Sequence, residues 1–171
     1  MTSRSLLQLR PMASSDLSLV LAWRNHPDVR KYMYTQHEIS MDEHRRWFEK
    51  CASDTAYHLL IFEKSANPLG FINIHQIAPG GIADWGFYSA PEAPKGTGRQ
   101  LGQLAVRYAL GQLGLQKLCG RALAHNERSI CFHQKLGFQR EGVLRQQHFD
   151  GQCYHDIVCF GLLASEWRTQ N

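Results

Sequence analysis

The chain has 171 residues, 43% of them hydrophobic and 20% charged, with a formal net charge of +4 at pH 7. That length suits one domain spanning 1–171 with its own core, and the composition is ordinary for a soluble globular protein. With no basic segment leading into an apolar run and no apolar span of membrane length, a cytoplasmic protein with no membrane partner is expected. The mild positive charge suits anionic small ligands. No Lys/Arg block or aromatic RNA-reading motif is present, so no nucleic-acid partner is expected. Cys51, Cys119, Cys131, Cys153 and Cys159 are an odd number without a Cys-x-x-Cys pair, which argues against a disulfide framework and a structural zinc site. The nine histidines show no His-Glu-x-x-His spacing, and no metal is expected.

Leu6 to Arg10 alternates apolar and polar residues up to Pro11 and reads as a first strand. Ser14, Ser15 and Asp16 offer an N-cap to a helix carrying Leu17, Val20, Leu21 and Arg24 as far as the break at Pro27. The segment from Trp23 to Tyr34 is rich in large recognition groups, and it reads either as a helical corner filling the core or as a binding surface. Ser40-Met-Asp-Glu43 is a capping box, so a further helix with His44, Trp47 and Phe48 starts there. Tyr57–Glu63, Leu69–Ile77 and Ile82–Tyr88, separated by Ser65-Ala-Asn-Pro68 and Pro79-Gly-Gly81, predict an antiparallel three-stranded meander.

The run Tyr88 to Gly102 then predicts a phosphate-cradling turn feeding a helix. Gly96 and Gly98 remove side chains where a backbone must approach an anion, and a helix N-terminus supplies unpaired N–H groups. Leu101, Leu104, Ala105, Tyr108 and Ala109 give that helix an apolar face, and Gly114 ends it. Lys117–Ala124 reads as a fifth strand, and Asn126 to Ser129 opens a short helix closed at Gly137. Two last strands, Arg140–Phe149 and Cys153–Leu163, flank the hairpin signal Asp150-Gly151.

In this order the elements resemble the GNAT acetyltransferase superfamily across nearly the whole chain. Lys95-Gly-Thr-Gly-Arg-Gln-Leu-Gly102 resembles its acetyl-CoA pyrophosphate loop. Asn126 to Phe138 with Lys135-Leu-Gly-Phe138, followed by Glu141-Gly142, resembles the branch that includes ribosomal-protein N-acetyltransferases. The resemblance implies an α/β (α+β) fold with a mixed, mostly antiparallel twisted sheet of about seven strands flanked by helices. It also implies acetyl-CoA as co-substrate. Within the superfamily, Trp23-Arg-Asn25, Val29 to Tyr34, Ser40, His44 and Trp47 resemble the N-acetyltransferases of pseudaminic acid biosynthesis and flagellin glycosylation. Those enzymes acetylate the 4-amino group of a UDP-linked 4-amino-4,6-dideoxy sugar. On matching positions this implies substrate contacts at Arg24, Asn25, Met33, Tyr34, His44 and Trp47, and it leaves a homodimer open.

Direct transfer from a thioester needs an amine relieved of a proton, a polarised carbonyl and a protonated leaving thiolate. Asp84 is a candidate base or a solvated strand residue. The resemblance implies polarisation by backbone N–H groups near Gly86, Phe87 and Tyr88, pyrophosphate contacts at Lys95, Gly96, Thr97, Gly98 and Arg99, and pantetheine contacts at Asn126 and Ser129. His133 stands where the family usually has the acidic Tyr, and it reads as a catalytic acid or a pocket-lining residue. Ala93 replaces the usual Gln or Arg that starts the loop, so Lys95 and Arg99 are expected to carry the charge. A peptide N-terminal acetyltransferase and a non-catalytic acyl-CoA sensor are the rival readings.

Overall fold

Strand and helix boundaries follow the sequence pattern closely in the computed structural model, which describes residues 6–169. The strands are β1 (Leu7–Pro11), β2 (Tyr57–Lys64), β3 (Asn67–Ala78), β4 (Ile82–Ser89), β5 (Lys117–Leu123), β6 (Gln139–Phe149) and β7 (Tyr154–Leu163). The helices are α1 (Leu17–Asn25), α2 (Pro27–Arg30), α3 (Met41–Ala52), α4 (Thr97–Val106), α5 (Glu127–Lys135) and α6 (Ala164–Thr169). One sheet runs β1-β2-β3-β4-β5-β7-β6.

Both faces of the sheet are covered, which explains the near-continuous apolar runs of β2 and β3. On one face Leu60, Phe62, Ile72, Ile74 and Trp85 pack with Leu101 and Ala105 of α4. On the other Leu59, Ile61 and Phe71 pack with Val20 and Trp23 of α1 and Cys51 of α3. Strand alternation sorts each residue to a face.

Neighbouring strands are antiparallel except β4 and β5, which run parallel and pair only at Ile82↔Lys117, Ala83↔Leu118 and Asp84↔Cys119. Past Asp84 they separate, because β4 continues as far as Ser89 while its pairing with β5 has ended. Gly86, Phe87 and Tyr88 therefore have an edge facing β5 that β5 does not bond. A parallel pair needs a long crossover, and α4 with its π-helical continuation Arg107–Gln112 supplies it.

The capping box at α3 forms as the sequence predicts, with Glu43 N donating to Ser40 Oγ (3.2 Å) and Ser40 N to Glu43 Oε2 (2.9 Å). The start of α1 differs. Ala13 takes the cap position of a preceding 3-10 turn, Ser14–Asp16, and the Asp16 carboxylate reaches back to the Ala13 N–H (2.8 Å). Arg10 draws Asp16 there with a two-pronged ion pair (2.7 and 2.8 Å) and also bonds Glu63 (2.6 Å). The β6–β7 loop is longer than a two-residue turn: Asp150 Oδ1 accepts from the N–H groups of Gln152 and Cys153, with Gly151 at φ +100°.

Candidate active site

Gly96 caps α4 at φ 91°, a left-handed conformation that disfavours any side chain although a Cβ there would meet nothing within 4 Å. The turn exposes the first amides of α4. Gln100 N already bonds Gly96 O (3.2 Å) and Thr97 N bonds Pro94 O (3.1 Å), while helix geometry gives Gly98 and Arg99 no intrahelical acceptor. Thr97 departs from expectation: it is 4% exposed and its amide is used internally, so it shapes the loop and offers a ligand nothing. Lys95 and Arg99 are exposed beside the turn, whereas Ala93 packs against the apolar clusters of both faces. Ala93 is thus apolar for a packing reason, and the loop's positive charge lies on Lys95 and Arg99.

Asn126 caps α5 by accepting from Ser129 N (3.1 Å). The Ser129 carbonyl meets His133 Nδ1 at 2.8 Å. A carbonyl only accepts, so Nδ1 carries the proton. His133 Nε2 then accepts from Trp85 Nε1 (3.2 Å), and the imidazole is 2% exposed and stacked 4.8 Å from Phe160. Burial pushes its pKa below the ordinary value, with the Ser129 bond opposing. Its one proton is engaged by the Ser129 carbonyl and its other nitrogen by the indole N–H, so the buried ring presents no proton to a ligand. The catalytic-acid reading of His133 is therefore corrected: it ties α5 to β4.

The second face of the sheet gathers the remaining expected residues. Register pairs Phe71↔Tyr88, Asn73↔Gly86 and His75↔Asp84, so these share that face. His44 stacks on Trp47 (5.2 Å), Trp47 meets Phe71 edge-on (5.8 Å) and Phe71 lies 5.3 Å from Tyr88. Arg24 Nη2 holds the Thr35 carbonyl (3.1 Å), and the guanidinium acts on both Tyr88 and His44 electrostatically. Burial raises the Tyr88 phenol's pKa and lowers that of His44. Asn25 is not available to a substrate, because its amide exchanges two 2.8 Å bonds with the Ile39 backbone. It is a strut for the 31–39 segment that carries Met33 and Tyr34. Among the described residues, five buried polar atoms lack a hydrogen-bond partner: Arg24 Nη1, His44 Nε2, Asn73 Oδ1, Asp84 Oδ1 and His148 Nε2. Native proteins pair such atoms, so their concentration on the acceptor side marks a place for a polar ligand.

A family profile of the acetyltransferase (GNAT) domain matches residues 7–139. The chain belongs to the GNAT family. Acetyltransferase PseH of Campylobacter jejuni is 28% identical over 128 residues, 73% of this chain and 78% of its own. Spermidine N(1)-acetyltransferase of Vibrio cholerae is 25% identical over 170 residues, 98% of each chain. The crystal structure of that spermidine N-acetyltransferase in complex with CoA and spermine superposes with a TM-score of 0.87, at 25% identity, over 95% of this chain and 98% of that one. The chain is an acetyl-CoA-dependent N-acetyltransferase. The first turn of α4 leaves amides without intrahelical acceptors, and β4 past Asp84 has no pairing with β5.

Sequence reading of this GNAT chain missed Asn73, Arg121 and His148. The alternation in Phe71-Ile-Asn-Ile-His75 already separates Asn73 from its core neighbours Ile72 and Ile74. His148 was hidden by a bulge, since Gln146 at φ 51° shifts the β6 register between Leu144 and His148. Tyr34 lies 5.2 Å from His148, and its phenol feels Arg121, Cys159 and Asp84. Beyond it opens a cleft of about 550 Å³ lined by Lys31, His125, His148 and His155. No group of three or more His, Cys, Asp or Glu among the described residues could hold a metal ion, and no helix there is long and apolar enough to cross a membrane.

Proposed function

We propose that the chain, acting as one domain over 1–171 in the cytoplasm, acetylates the 4-amino group of a UDP-linked 4-amino-4,6-dideoxy sugar, as in pseudaminic acid biosynthesis and flagellin glycosylation. The observation that carries this reading is the buried, unpartnered Nη1 of Arg24 on the acceptor face. A half-buried guanidinium with one buried, unpaired donor seeks an anion, and a diphosphate matches its planar fork. Tyr88, Trp47 and Met33 supply apolar surface beside it for a base and sugar, and Tyr34 stands over the amine end.

Acetyl-CoA supplies the acetyl group as a thioester. Gly98 and Arg99 amides with the Lys95 side chain hold its diphosphate, Asn126 and Ser129 border its arm, and the β4 amides from Gly86 to Tyr88 polarise its carbonyl. Asp84 takes a proton from the acceptor amine. With His133 spent on packing, the acceptor nitrogen's own proton serves the leaving sulfur, and transfer is direct.

A polyamine is the second reading, favoured by the spermine-bound Vibrio cholerae neighbour. A polycation needs a carboxylate-lined path, whereas Asp84, with Asp150 in the adjoining cleft, stands among Arg24, Arg121, Lys31, His44 and His148, and the acidic Asp28, Glu38, Asp42 and Glu43 each lie beside a basic side chain, Lys31, Arg30, Arg45 and His37. Incubation with acetyl-CoA and the UDP-4-amino-4,6-dideoxy sugar, spermidine or a peptide amine, followed by thiol release, separates the readings. Release with the sugar nucleotide above the others is expected. Release with spermidine or peptide alone overturns the sugar assignment, and absence of thiol release with every amine favours an acyl-CoA sensor.

A further inference from the structure

On the acetyltransferase reading above, we infer that Asn73 seats the acceptor amine, its amide oxygen and the Asp84 carboxylate forming a two-acceptor cradle that selects primary over secondary amines. Four observations converge on Asn73. It lies directly opposite Gly86 in the β3–β4 register, and Asp84 is one pleat repeat away on the same face. A Cβ on Gly86 would meet nothing within 4 Å, so a notch lies beside the Asn73 amide where any other residue would put a side chain. Asn73 Oδ1 and Asp84 Oδ1 are both buried and both without a partner. Finally, Ile72 and Ile74 on either side are fully buried in the opposite face, which fixes the strand and leaves Asn73 no other direction.

A buried oxygen left unpaired is destabilising, so the two acceptors are kept for donors that arrive with the substrate. An amine brings them. The notch is also where β4 parts from β5, next to the amides expected to grip the acetyl carbonyl.

Proton balance gives Asn73 its separate role. The ammonium form carries three N–H protons. One passes to Asp84 and frees the lone pair; the C–N bond forms as the C–S bond breaks with its electrons on sulfur. A second proton ends on that sulfur, and the third remains on the product amide. Asp84 accepts the proton that leaves. Asn73, whose amide oxygen is far too weak a base to take a proton, accepts from the N–H that stays. A secondary amine has no third N–H and leaves Asn73 unsatisfied.

The test compares the UDP-4-amino-4,6-dideoxy sugar with its 4-methylamino analogue, in wild type and in Asn73→Leu and Asn73→Ser. Asn73→Leu is expected to lower kcat/KM for the primary amine about tenfold, the equivalent of one net hydrogen bond. It should narrow the preference for primary over secondary amine by a similar factor and leave the acetyl-CoA KM unchanged. Asn73→Ser, whose hydroxyl oxygen still accepts, should recover part of both. An unchanged kcat/KM, or an equal loss for both amines, overturns the cradle. If wild type acetylates spermidine or a peptide instead, the sugar reading fails and the same comparison on that amine and its N-methyl form decides Asn73. Wild type inert with every amine overturns both.

Discussion

Trp85 donates its indole N–H to His133 Nε2 across 3.2 Å, locking an imidazole whose one N–H, on Nδ1, donates to the Ser129 carbonyl. The bond joins β4, whose open edge is the proposed place of the acetyl carbonyl, to α5, whose first turn is proposed to border the same site. Gly120 leaves the room for it: a Cβ there would stand 2.4 Å from His133 Nε2 and 3.0 Å from Trp85 Nε1. A residue at the position of a proton donor has become a brace.

His133→Gln should therefore keep turnover within about threefold of wild type and leave the shape of the pH–rate profile intact, because an amide oxygen can still accept from Trp85. His133→Leu removes the acceptor and strands a buried N–H, at a cost of about 1–3 kcal/mol in stability. Chemical denaturation and pH profiles of kcat for both variants check this. Loss of a limb of the profile in His133→Gln would restore the acid role.

The same burial predicts a pH dependence of stability. His133, His44 and His58 all have folded pKa values lowered by burial from an ordinary value of about 6.5. The unfolded chain then binds protons that the folded chain refuses, so stability is complete above about 6.5 and falls as pH drops towards the folded values. Melting temperature should decline as pH falls below about 6.5, and His133→Gln should lessen that slope by removing one of the three groups. An unchanged slope would show that His133 takes up a proton in place.

Gly102 predicts a coupled loss. A Cβ there would lie 2.6 Å from the Phe132 ring and 2.8 Å from Leu136, where α4 presses on α5. Gly102→Ala should destabilise by about 1–3 kcal/mol through overpacking. Because these two helices flank the proposed co-substrate site, it should also raise the acetyl-CoA KM while leaving the ratio of rates for different amines alone. Thermal melts and steady-state kinetics with each substrate varied separate the two effects.

Local chemistry made much of this legible from sequence. The capping box at Ser40, the left-handed glycine at Gly96, the meander and the α5 motif each depend on neighbouring residues, and each forms within a residue or two of its expected position. What could not be read depends on contacts between distant segments. Asp16 is drawn from a cap by Arg10, Asn25 is consumed by Ile39, and His133 is neutralised by a Trp 48 residues away. The orphaned Asn73 oxygen needs the β3–β4 register and the glycine across from it, and neither is visible in a single strand.

Arg24 gives the sharpest test of the acceptor. Its Nη2 holds the Thr35 carbonyl and its Nη1 is buried and unspent. Arg24→Met loses a charge-assisted bond to an anionic acceptor, worth about 1.5–3 kcal/mol, and should raise the KM for the sugar nucleotide more than tenfold. Arg24→Lys keeps the charge without the fork and should fall between. Acetyl-CoA KM should hold in both, since Arg24 lies on the opposite face of the sheet from α4. Added salt should weaken sugar-nucleotide binding more in wild type than in Arg24→Met. Loss of the Thr35 contact alone would loosen the 31–39 segment for every acceptor, charged or not. Equal KM increases for the sugar nucleotide and for spermidine would therefore assign Arg24 to loop support and remove the main ground for an anionic substrate.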